Sequence, residues 1–487
     1  MALASSAHAA ADLLPATRLA RLPELDQVAP IDAAELLAGS PGLALLESAR
    51  PGRRSRWTFL TADPVGLLSR PSPGRDPFAD ARRMLQRLDG HGLERRSPDG
   101  LPGPPFLGGL VGFLGYDLGL ALEPRAELVP NDQDLPQLRL ALHDWVIAWD
   151  RRSGQAWLGG RALDGDRRHL GERLAAVHER VARGRPPANR GQAITPEREL
   201  VFDSSLDRAR YEAGVGAIRR AIRDGEIYQA NLARRLSTAF DGDPWPLYRA
   251  LRTGDPALFA AYLDLGPGER GARSGMPRAI ASASPESFLS VDVDGRVTTD
   301  PIKGTRPRGR TPEEDRALAA ELLASAKDRA ENVMIVDVLR NDLGRVCRPG
   351  SVRVPRLCRL ERTSAVQHLV STVTGRLAAG RDAFDLIAAS FPGGSITGAP
   401  KIRAMEILET LEPVRRGPYT GTALWLGPDG QLGSSILIRT LVADGAQLSL
   451  HVGGGITWRS DPVEEWFETV AKARGPLRSI GGRETAG

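Results

Sequence analysis

Short apolar runs, separated by breaks rich in glycine and proline, dominate the first 183 residues of the chain. The runs Leu43–Leu46, Trp57–Leu60 and Trp145–Trp149 are long enough for strands and too short for helices, so we predict strands. Two stretches, Pro77–Leu88 and Asp166–Ala182, show helical spacing instead. The pattern predicts a sheet-rich domain over residues 13–183, after a short disordered start at residues 1–12.

The stretch from Gly184 to Pro196 has the composition of a linker, and we place the linker at residues 184–204. A helix is predicted at Ser205–Asp224, where apolar residues recur every three or four positions and Ser205 can cap the first turn. Later strands are predicted at Ala279–Ala283, Ser287–Val293, Val297–Asp300, Gly421–Leu426, Ser434–Val442 and Gln447–Val452, and later helices at Thr311–Ser325, Ala330–Leu339, Asp382–Ala389, Lys401–Leu411 and Pro462–Arg474.

Strands and helices alternate irregularly in this second part, which favours an α+β layered domain over a strict βαβ repeat. We assign it to residues 205–480 and expect a short tail at 481–487. The composition, 41% apolar and 26% charged, is that of a soluble globular protein. No apolar run is long enough to span a membrane, and the N-terminus makes a poor signal peptide, so we expect a cytoplasmic protein.

The net charge of +5 is spread along the chain rather than gathered in blocks. A small anionic substrate explains such a mild excess as well as nucleic acid does. The two cysteines, Cys347 and Cys358, form neither a disulfide framework nor a zinc-binding pattern.

Only four of the 65 basic residues are lysine. Arginine therefore fills nearly every position that needs only a positive charge, and each lysine is a candidate for a role that arginine cannot perform. Lys303 lies between Pro301 and Pro307, in what we predict to be a rigid loop. An amine can lose its proton and act as a nucleophile, whereas a guanidinium cannot. Glu286 ends a predicted strand upstream and can reach the same cavity as a general acid if the strands between form a hairpin. The alternative is that Lys303 forms a structural ion pair with Glu286 or Asp300.

Two predicted helices each place a pair of carboxylates three residues apart on one face, Asp328 with Glu331 and Glu465 with Glu468. Brought together, the two faces would offer the hard oxygen ligands that Mg²⁺ prefers. Solvated helix surface is the alternative for each pair alone.

Glycine-rich turns occur at Phe391–Lys401 and at His451–Ile456. Backbone N–H groups at the start of a helix, or beside glycines, can bind an anion, and carboxylate recognition is the better hypothesis here. Arg439, in a predicted strand, and Lys472, one helical turn after Glu468, are the candidate cations. Both turns are also compatible with a purely structural role.

Taken together, these motifs resemble the chorismate-binding enzymes, which include anthranilate synthase component I and the isochorismate synthases. The matching stretches are Glu226–Leu232, Ser284–Glu286, Pro301–Gly309, Glu331–Asp342, His368–Ser371, Pro392–Lys401, Gly453–Ile456 and Glu465–Lys472. The resemblance implies the α+β fold of that family, a layered β-sheet sandwich with helices of the anthranilate synthase component I type.

The resemblance also implies roles for individual residues. Chorismate would lie on Mg²⁺ held by Glu331 and Glu468, with Asp328 and Glu465 as supporting acids, and Glu286 would be the general acid at the C4 hydroxyl. The residues implied on the substrate side are Gln229, Thr305, His368, Thr397, Tyr419, Arg439, Gly453, Gly454, Gly455 and Lys472. The segment Leu46, Glu47 and Ser48 is similar to the one that forms a regulatory tryptophan pocket in anthranilate synthases.

Two positions indicate the reaction within the family. Gln229 stands where the water-using members carry a lysine base, which disfavours hydration. Lys303 stands where anthranilate synthases usually have alanine, and lysine there implies covalent attack on C2 of chorismate followed by ammonia addition at C4, giving 4-amino-4-deoxychorismate. Because no glutaminase motif is present, a separate glutamine amidotransferase subunit is the expected partner, in a heterodimer. Anthranilate formation is the alternative, and a non-catalytic nucleic-acid-binding protein a remote one.

Overall fold

The computed structural model of the chain describes residues 17–49, 56–90, 103–123, 129–133, 135–184, 199–268, 275–363 and 366–485. The predicted disordered start at 1–12 and most of the predicted linker lie outside these ranges. No helix in the described ranges is long and apolar enough to cross a membrane.

The strands, numbered along the chain, are β1 (Thr17–Arg21), β2 (Ala44–Glu47), β3 (Trp57–Thr61), β4 (Gly66–Leu68), β5 (Gly109–Leu114), β6 (Leu138–His143), β7 (Trp145–Asp150), β8 (Gln155–Arg161), β9 (Leu200–Ser204), β10 (Gln229–Ala239), β11 (Phe259–Pro267), β12 (Pro277–Ser284), β13 (Ser287–Val291), β14 (Arg296–Thr299), β15 (Ile302–Pro307), β16 (Arg353–Arg362), β17 (Val366–Arg376), β18 (Gly398–Ala399), β19 (Thr422–Leu426), β20 (Leu432–Ile436), β21 (Thr440–Asp444), β22 (Gln447–Ile456) and β23 (Gly482–Glu484). The helices are α1 (Pro30–Glu35), α2 (Ala79–Gln86), α3 (Gly119–Leu122), α4 (Arg167–Arg183), α5 (Arg208–Arg223), α6 (Pro244–Gly254), α7 (Pro312–Ala324), α8 (Ala326–Gly344), α9 (Ala383–Ser390), α10 (Lys401–Leu411) and α11 (Pro462–Ser479).

Two large sheets organise these elements. The first sheet runs β1-β8-β7-β3-β2-β11-β12-β21-β22-β10-β9-β23, with β18 added beside β10. The second sheet runs β15-β17-β14-β13-β20-β19-β5-β6-β4, with β16 on β17. Each sheet contains strands from both sides of the predicted linker, so the two halves of the sequence share one sandwich. The division at residues 183 and 205 therefore separates sequence segments whose strands are hydrogen-bonded to each other, as in the β2–β11 and β5–β19 pairs.

The core has layers on both sides of each sheet. Side chains such as Phe59, Ile280 and Phe113 fill the space between the sheets. Helices α1, α4, α6 and α11 cover the outer face of the first sheet, while α2, α8 and α9 cover the second. This αββα sandwich confirms the predicted α+β layered fold.

Most predicted elements are present, and the differences have local causes. Asp207, not Ser205, caps α5, accepting a hydrogen bond from the Arg210 N–H at 2.8 Å. The Ser205 hydroxyl instead accepts from the backbone of Arg235, which holds β10. The predicted linker ends in β9 and the predicted tail contains β23, and these two strands pair in parallel with each other.

Candidate functional site

Lys303 lies on β15, a strand that pairs with β17, so its predicted loop is wrong. A β-bulge between Lys303 and Thr305 is centred on Gly304, whose φ of +76° favours glycine. A Cβ at Gly304 would lie 2.9 Å from the Cβ of Asp328, so glycine also lets β15 approach α8. The Lys303 Nζ donates a hydrogen bond to the Ser395 carbonyl at 3.2 Å. The backbone therefore directs this amine at the turn between α9 and α10.

Glu286 lies between β12 and β13, at the start of the predicted hairpin, which β13 and β14 form. Its carboxylate is buried and accepts from the Ser395 hydroxyl at 3.4 Å. Burial raises the pKa of Glu286 to about 7, although the positive charge of Lys303 opposes the rise. Ser395 thus contacts both Glu286 and Lys303, and a carboxyl with this pKa can deliver a proton near neutral pH.

The two predicted acid pairs lie on α8 and α11 and face a common space. Burial raises the pKa of Glu331, and the negative charge of Glu468 adds to the rise. Burial also raises the pKa of Glu465, again with a contribution from Glu468. Glu468 itself is different: burial acts to raise its pKa, but the positive charges of Lys472 and Lys327 prevail and lower it. The Glu468 carboxylate therefore repels both Glu331 and Glu465, which places the three carboxylates close together.

Not every oxygen of these three carboxylates has a hydrogen-bond partner among the described residues. Glu331 Oε1 and Glu465 Oε2 are buried without a hydrogen-bond partner among the described residues. Asp328 is different, since it accepts from Arg306 Nη2 at 3.3 Å. No group of three or more Asp, Glu, His or Cys side chains in the described ranges is arranged to hold a metal ion. Mg²⁺ needs only one or two carboxylates when water and substrate oxygens complete its shell, so the orphaned oxygens of this group fit that ion.

Three glycines of β22, which we call the glycine wall, lie beside the acids and Lys303. A Cβ on Gly454 would lie 2.8 Å from Glu465 Oε2, and one on Gly455 would lie 2.8 Å from Gln229 Nε2 and 3.5 Å from Lys303 Nζ. A Cβ on Gly453 would meet the Leu232 carbonyl at 2.5 Å. Glycine is thus required at Gly453, where backbone would be in the way, whereas a Cβ at Gly454 or Gly455 would displace the ends of the Glu465 and Gln229 side chains.

Lys472 links this wall to the acids. Its Nζ donates to the Gly453 carbonyl at 2.8 Å and pairs with Glu468 at 2.7 Å. The site therefore brings together Lys303 of β15, Glu331 of α8 and three residues of α11, Glu465, Glu468 and Lys472, beside the glycines of β22. Such a site offers a proton donor in Glu286, an amine in Lys303 and carboxylates that can hold a cation.

The profile of the family described as chorismate binding enzyme matches residues 47–478. The chain belongs to the chorismate-binding enzyme family. It is 37% identical over 441 residues to aminodeoxychorismate synthase component 1 of Salmonella typhimurium, covering 88% of this chain and 90% of that protein. It is 38% identical over 480 residues to anthranilate synthase component 1 of Synechocystis, covering 92% of each. The crystal structure of anthranilate synthase component I from Streptococcus pneumoniae superposes with a TM-score of 0.74 at 30% identity, covering 88% of this chain and 93% of that one.

Within this chorismate-binding chain, Gln229 occupies the cavity wall. It is fully buried on β10, and neither its amide nitrogen nor its amide oxygen has a hydrogen-bond partner among the described residues. Since buried polar groups are normally satisfied, the orphaned amide of Gln229 indicates a ligand or water at this place.

The other predicted substrate residues are distributed less evenly. Thr305 and His368 contact each other across β15 and β17, with 2.9 Å between the Thr305 hydroxyl and His368 Nδ1. The Thr397 hydroxyl donates to the Gly393 carbonyl, so its proton is used within the turn. Tyr419 is buried, and its ring stacks on that of His451 at 5.1 Å. Burial raises the pKa of Tyr419 to about 12, so its phenol remains a hydrogen-bond donor.

The predicted strand for Arg439 is wrong. The stretch Ser434–Val442 breaks into β20 and β21, and Arg439 lies in the break with a φ of +51°. Its guanidinium is half-exposed and pairs with Asp255 at 3.2 Å. A substrate carboxylate at Arg439 would therefore share the guanidinium with Asp255.

The predicted regulatory segment lies at β2, beside a different cavity of about 270 Å³. Leu46 and Glu47 line this cavity together with Trp57, Phe259 and Trp425. Glu47 is buried and accepts from the Tyr248 hydroxyl at 2.8 Å and from Arg252 Nε at 2.6 Å, while the Ser48 carbonyl accepts from Arg151. Lys303, Glu331 and Glu468 do not line this cavity, and its regulatory role stays a prediction.

Sequence reasoning missed two site residues. Ser395 contacts both Lys303 and Glu286, and its position within the matching stretch Pro392–Lys401 was the available signal. Asn231 lies on β10 beside Gln229, and its side-chain amide nitrogen is buried without a hydrogen-bond partner among the described residues. Its place at the end of the motif Glu226–Leu232 gave no chemical reason to select it.

Proposed function

We propose that this chain is an aminodeoxychorismate synthase component I, which converts chorismate and ammonia to 4-amino-4-deoxychorismate and water. The observation that carries the proposal is the pairing of Lys303 with Glu286 across Ser395, at 3.2 Å and 3.4 Å. An amine and a carboxyl with a pKa of about 7 are the nucleophile and the general acid that amination at C4 requires.

In the first half of the reaction, the neutral amine of Lys303 attacks C2 of chorismate. The C2–N bond forms, the two ring double bonds move from C1=C2 and C5=C6 to C1=C6 and C4=C5, and the C4–O bond breaks. Glu286 donates its proton to the departing hydroxyl, which leaves as water. Burial supports this role, because it keeps a substantial fraction of Glu286 protonated at neutral pH.

In the second half, ammonia attacks C4, both ring double bonds return to C1=C2 and C5=C6, and the C2–N bond breaks. Lys303 leaves as a neutral amine, and the surplus proton on the new C4 ammonium returns to the Glu286 carboxylate. Both groups are thereby restored. The enolpyruvyl side chain is retained, because none of these steps breaks its bond to the ring.

Binding in this proposal depends on charge. Lys472 and the open backbone of Gly453, Gly454 and Gly455 would bind the ring carboxylate, while Tyr419 and Arg439 would bind the enolpyruvyl carboxylate. Glu331 and Glu468 would hold Mg²⁺, with Glu465 and Asp328 beside them. When bound, Mg²⁺ supplies positive charge that offsets the repulsion between the substrate carboxylate and these acids.

Ammonia would come from a glutamine amidotransferase subunit. The relatives are named component 1, which implies a second component in those enzymes. We propose the same arrangement for this chain, as a cytoplasmic heterodimer, with free ammonium as a substitute in vitro.

Anthranilate synthase component I is the second candidate, because relatives of both names match at nearly equal identity, 37% and 38%. The two enzymes differ in product. Purified protein is incubated with chorismate, Mg²⁺ and an ammonium salt, and the products are separated by liquid chromatography with mass detection. We expect 4-amino-4-deoxychorismate; direct formation of fluorescent anthranilate would assign the chain to the second candidate.

A further inference from the structure

A buried ion pair lies behind the cavity wall. Arg416 and Glu412 follow α10, and their side chains are 2% and 8% exposed. The Arg416 guanidinium has five N–H donors, and each has an acceptor. Nε donates to Glu412 Oε2 at 2.8 Å and Nη2 to Glu412 Oε1 at 2.6 Å, and the other three donors reach the Asn231 carbonyl at 2.5 Å, the Ile396 carbonyl at 3.1 Å and the Thr420 hydroxyl at 3.3 Å.

Arg416 and Glu412 form hydrogen bonds with a part of one β10 edge that no strand among the described residues pairs with. One edge of β10 pairs with β22, where Asn231 lies opposite Gly455 and Ala233 opposite Gly453. On the other edge, β18 covers Gln229 and Ala230, and β9 covers Leu236 and Ser237. Between them, the Asn231 carbonyl accepts from Arg416 and the Ala233 N–H donates to Glu412 Oε1 at 2.9 Å. Buried backbone groups need such partners, and here side chains provide them.

The same pair also holds the turn that carries Ser395 and Thr397. Arg416 Nη1 binds the carbonyl of Ile396, which lies between those two residues. The Thr397 carbonyl in turn accepts from the Asn231 N–H at 2.8 Å. The guanidinium also lies over the rings of Tyr116, at 4.6 Å, and Tyr419, at 5.8 Å. Three parts of the cavity therefore converge on one guanidinium: the glycine wall through β10, the turn, and Tyr419.

We propose that Arg416 and Glu412 are positioning residues that set the geometry of the chorismate site. This rests on the proposed function only in that the ligand is chorismate. The pair is too deeply buried to contact the substrate, and it acts by fixing the distance between the glycine wall and the turn. A misplacement of about 1 Å in such a site can cost on the order of 100-fold in rate.

Arg416→Lys tests the proposal, because lysine keeps the charge but cannot reach the five acceptors. The matched control is Arg161→Lys, near the opposite end of the first sheet. Arg161 is as buried as Arg416 and binds Asp429 and the Asp89 carbonyl, each at 2.9 Å. Chorismate consumption with saturating ammonium is measured for both variants, together with the thermal midpoint Tm.

We expect Arg416→Lys to raise the KM for chorismate about tenfold or more, beyond what its loss of Tm explains. Arg161→Lys should lower Tm while its KM stays within about twofold of wild type. An Arg416→Lys protein that loses Tm but keeps the wild-type KM would show that the pair only stabilises the fold and would overturn the proposal.

Should Arg416→Lys not fold, Glu412→Gln decides the question. The glutamine oxygen can still accept from Ala233 and Arg416 Nη2, but its NH₂ group faces the Nε donor, so only that bond is lost. A raised KM in this milder variant supports the positioning role, and an unchanged KM contradicts it. Chorismate consumption is read without regard to product, so wild-type protein that consumes no chorismate refutes the proposed function, whereas an unaffected variant refutes the positioning role alone.

Discussion

Charged and polar side chains are buried at two places along β10, and the two groups are satisfied very differently. At the edge of β10 opposite β22, every donor of Arg416 has an acceptor, and Glu412 also accepts from the backbone N–H of Ala233. In front of it, facing Lys303, both polar atoms of the Gln229 amide and one oxygen each of Glu331 and Glu465 have no partner among the described residues.

This contrast separates structural from functional burial. A buried polar group without a partner costs about 1–3 kcal/mol, so four such atoms gathered at one place indicate that a ligand, an ion or water completes them. In our proposal, the fully hydrogen-bonded pair of Arg416 and Glu412 fixes the position of β10. The unpartnered atoms of Gln229, Glu331 and Glu465 are instead available to bind a ligand, a metal ion or water. We therefore expect the buried acids facing Lys303 to destabilise the fold. Substitutions that remove their charge should then increase the stability of the protein.

The largest effect is expected for Glu286→Gln on the rate. Glutamine cannot donate the proton to the departing hydroxyl, so kcat should fall by about 10²–10⁴. Wild-type kcat should decline as the pH rises through about 7, where Glu286 loses its proton, and this decline should be absent from the variant. Steady-state rates between pH 5.5 and 8.5 measure both effects; a variant with the wild-type profile would remove Glu286 from the reaction.

The same variant should be more stable than wild type at alkaline pH. The pKa of Glu286 rises from 4.5 to about 7 on folding, so the folded protein holds a proton that the unfolded chain releases. Stability contributed by this group is present below about pH 4.5, is lost between 4.5 and 7, and stays lost above, a total of about 3 kcal/mol.

Urea unfolding of wild type and Glu286→Gln at pH 5 and pH 8 measures the difference. The gain of the variant should be larger at pH 8. Asp337→Asn, which neutralises an exposed acid on α8, is the control and should show no such dependence. A variant that is less stable than wild type at pH 8 would contradict the idea that the cavity is costly to the fold.

A smaller effect is expected for Glu331→Gln on metal binding. Loss of one of two carboxylates should weaken Mg²⁺ binding about 10- to 100-fold, since Mg²⁺ depends on few protein charges. Isothermal titration of Mg²⁺ into the protein measures this without turnover. Asp337→Asn removes the same charge from the exposed side of α8 and should leave Mg²⁺ affinity unchanged; equal weakening in both variants would indicate a general charge effect.

The sequence was sufficient for features that depend on neighbouring residues. Helical spacing predicted α5 and α10, and the three-residue spacing of Glu465 and Glu468 placed both acids on one face of α11. The alternation of strands and helices predicted the α+β class. These features are local, and the resemblance to a family added the order in which they assemble.

What the sequence did not predict depends on distant partners. Two prolines and a glycine around Lys303 suggested a loop, but pairing with β17 makes the segment a strand. Arg439 lies in a turn because β20 and β21 belong to different sheets. The proposed role of Arg416 depends on the gap between β18 and β9 along β10, where the described residues place no strand, and no local pattern reveals this gap.

A covalent bond between Lys303 and the substrate can be detected by mass spectrometry of the intact protein. Protein is mixed with chorismate and Mg²⁺ in the absence of ammonia, quenched in acid and weighed, alongside Lys303→Ala and a sample to which ammonium is then added. We expect a mass increase equal to chorismate minus water in the wild type, its disappearance on addition of ammonium, and no increase in Lys303→Ala. The same adduct in Lys303→Ala would place the nucleophile elsewhere and contradict the account.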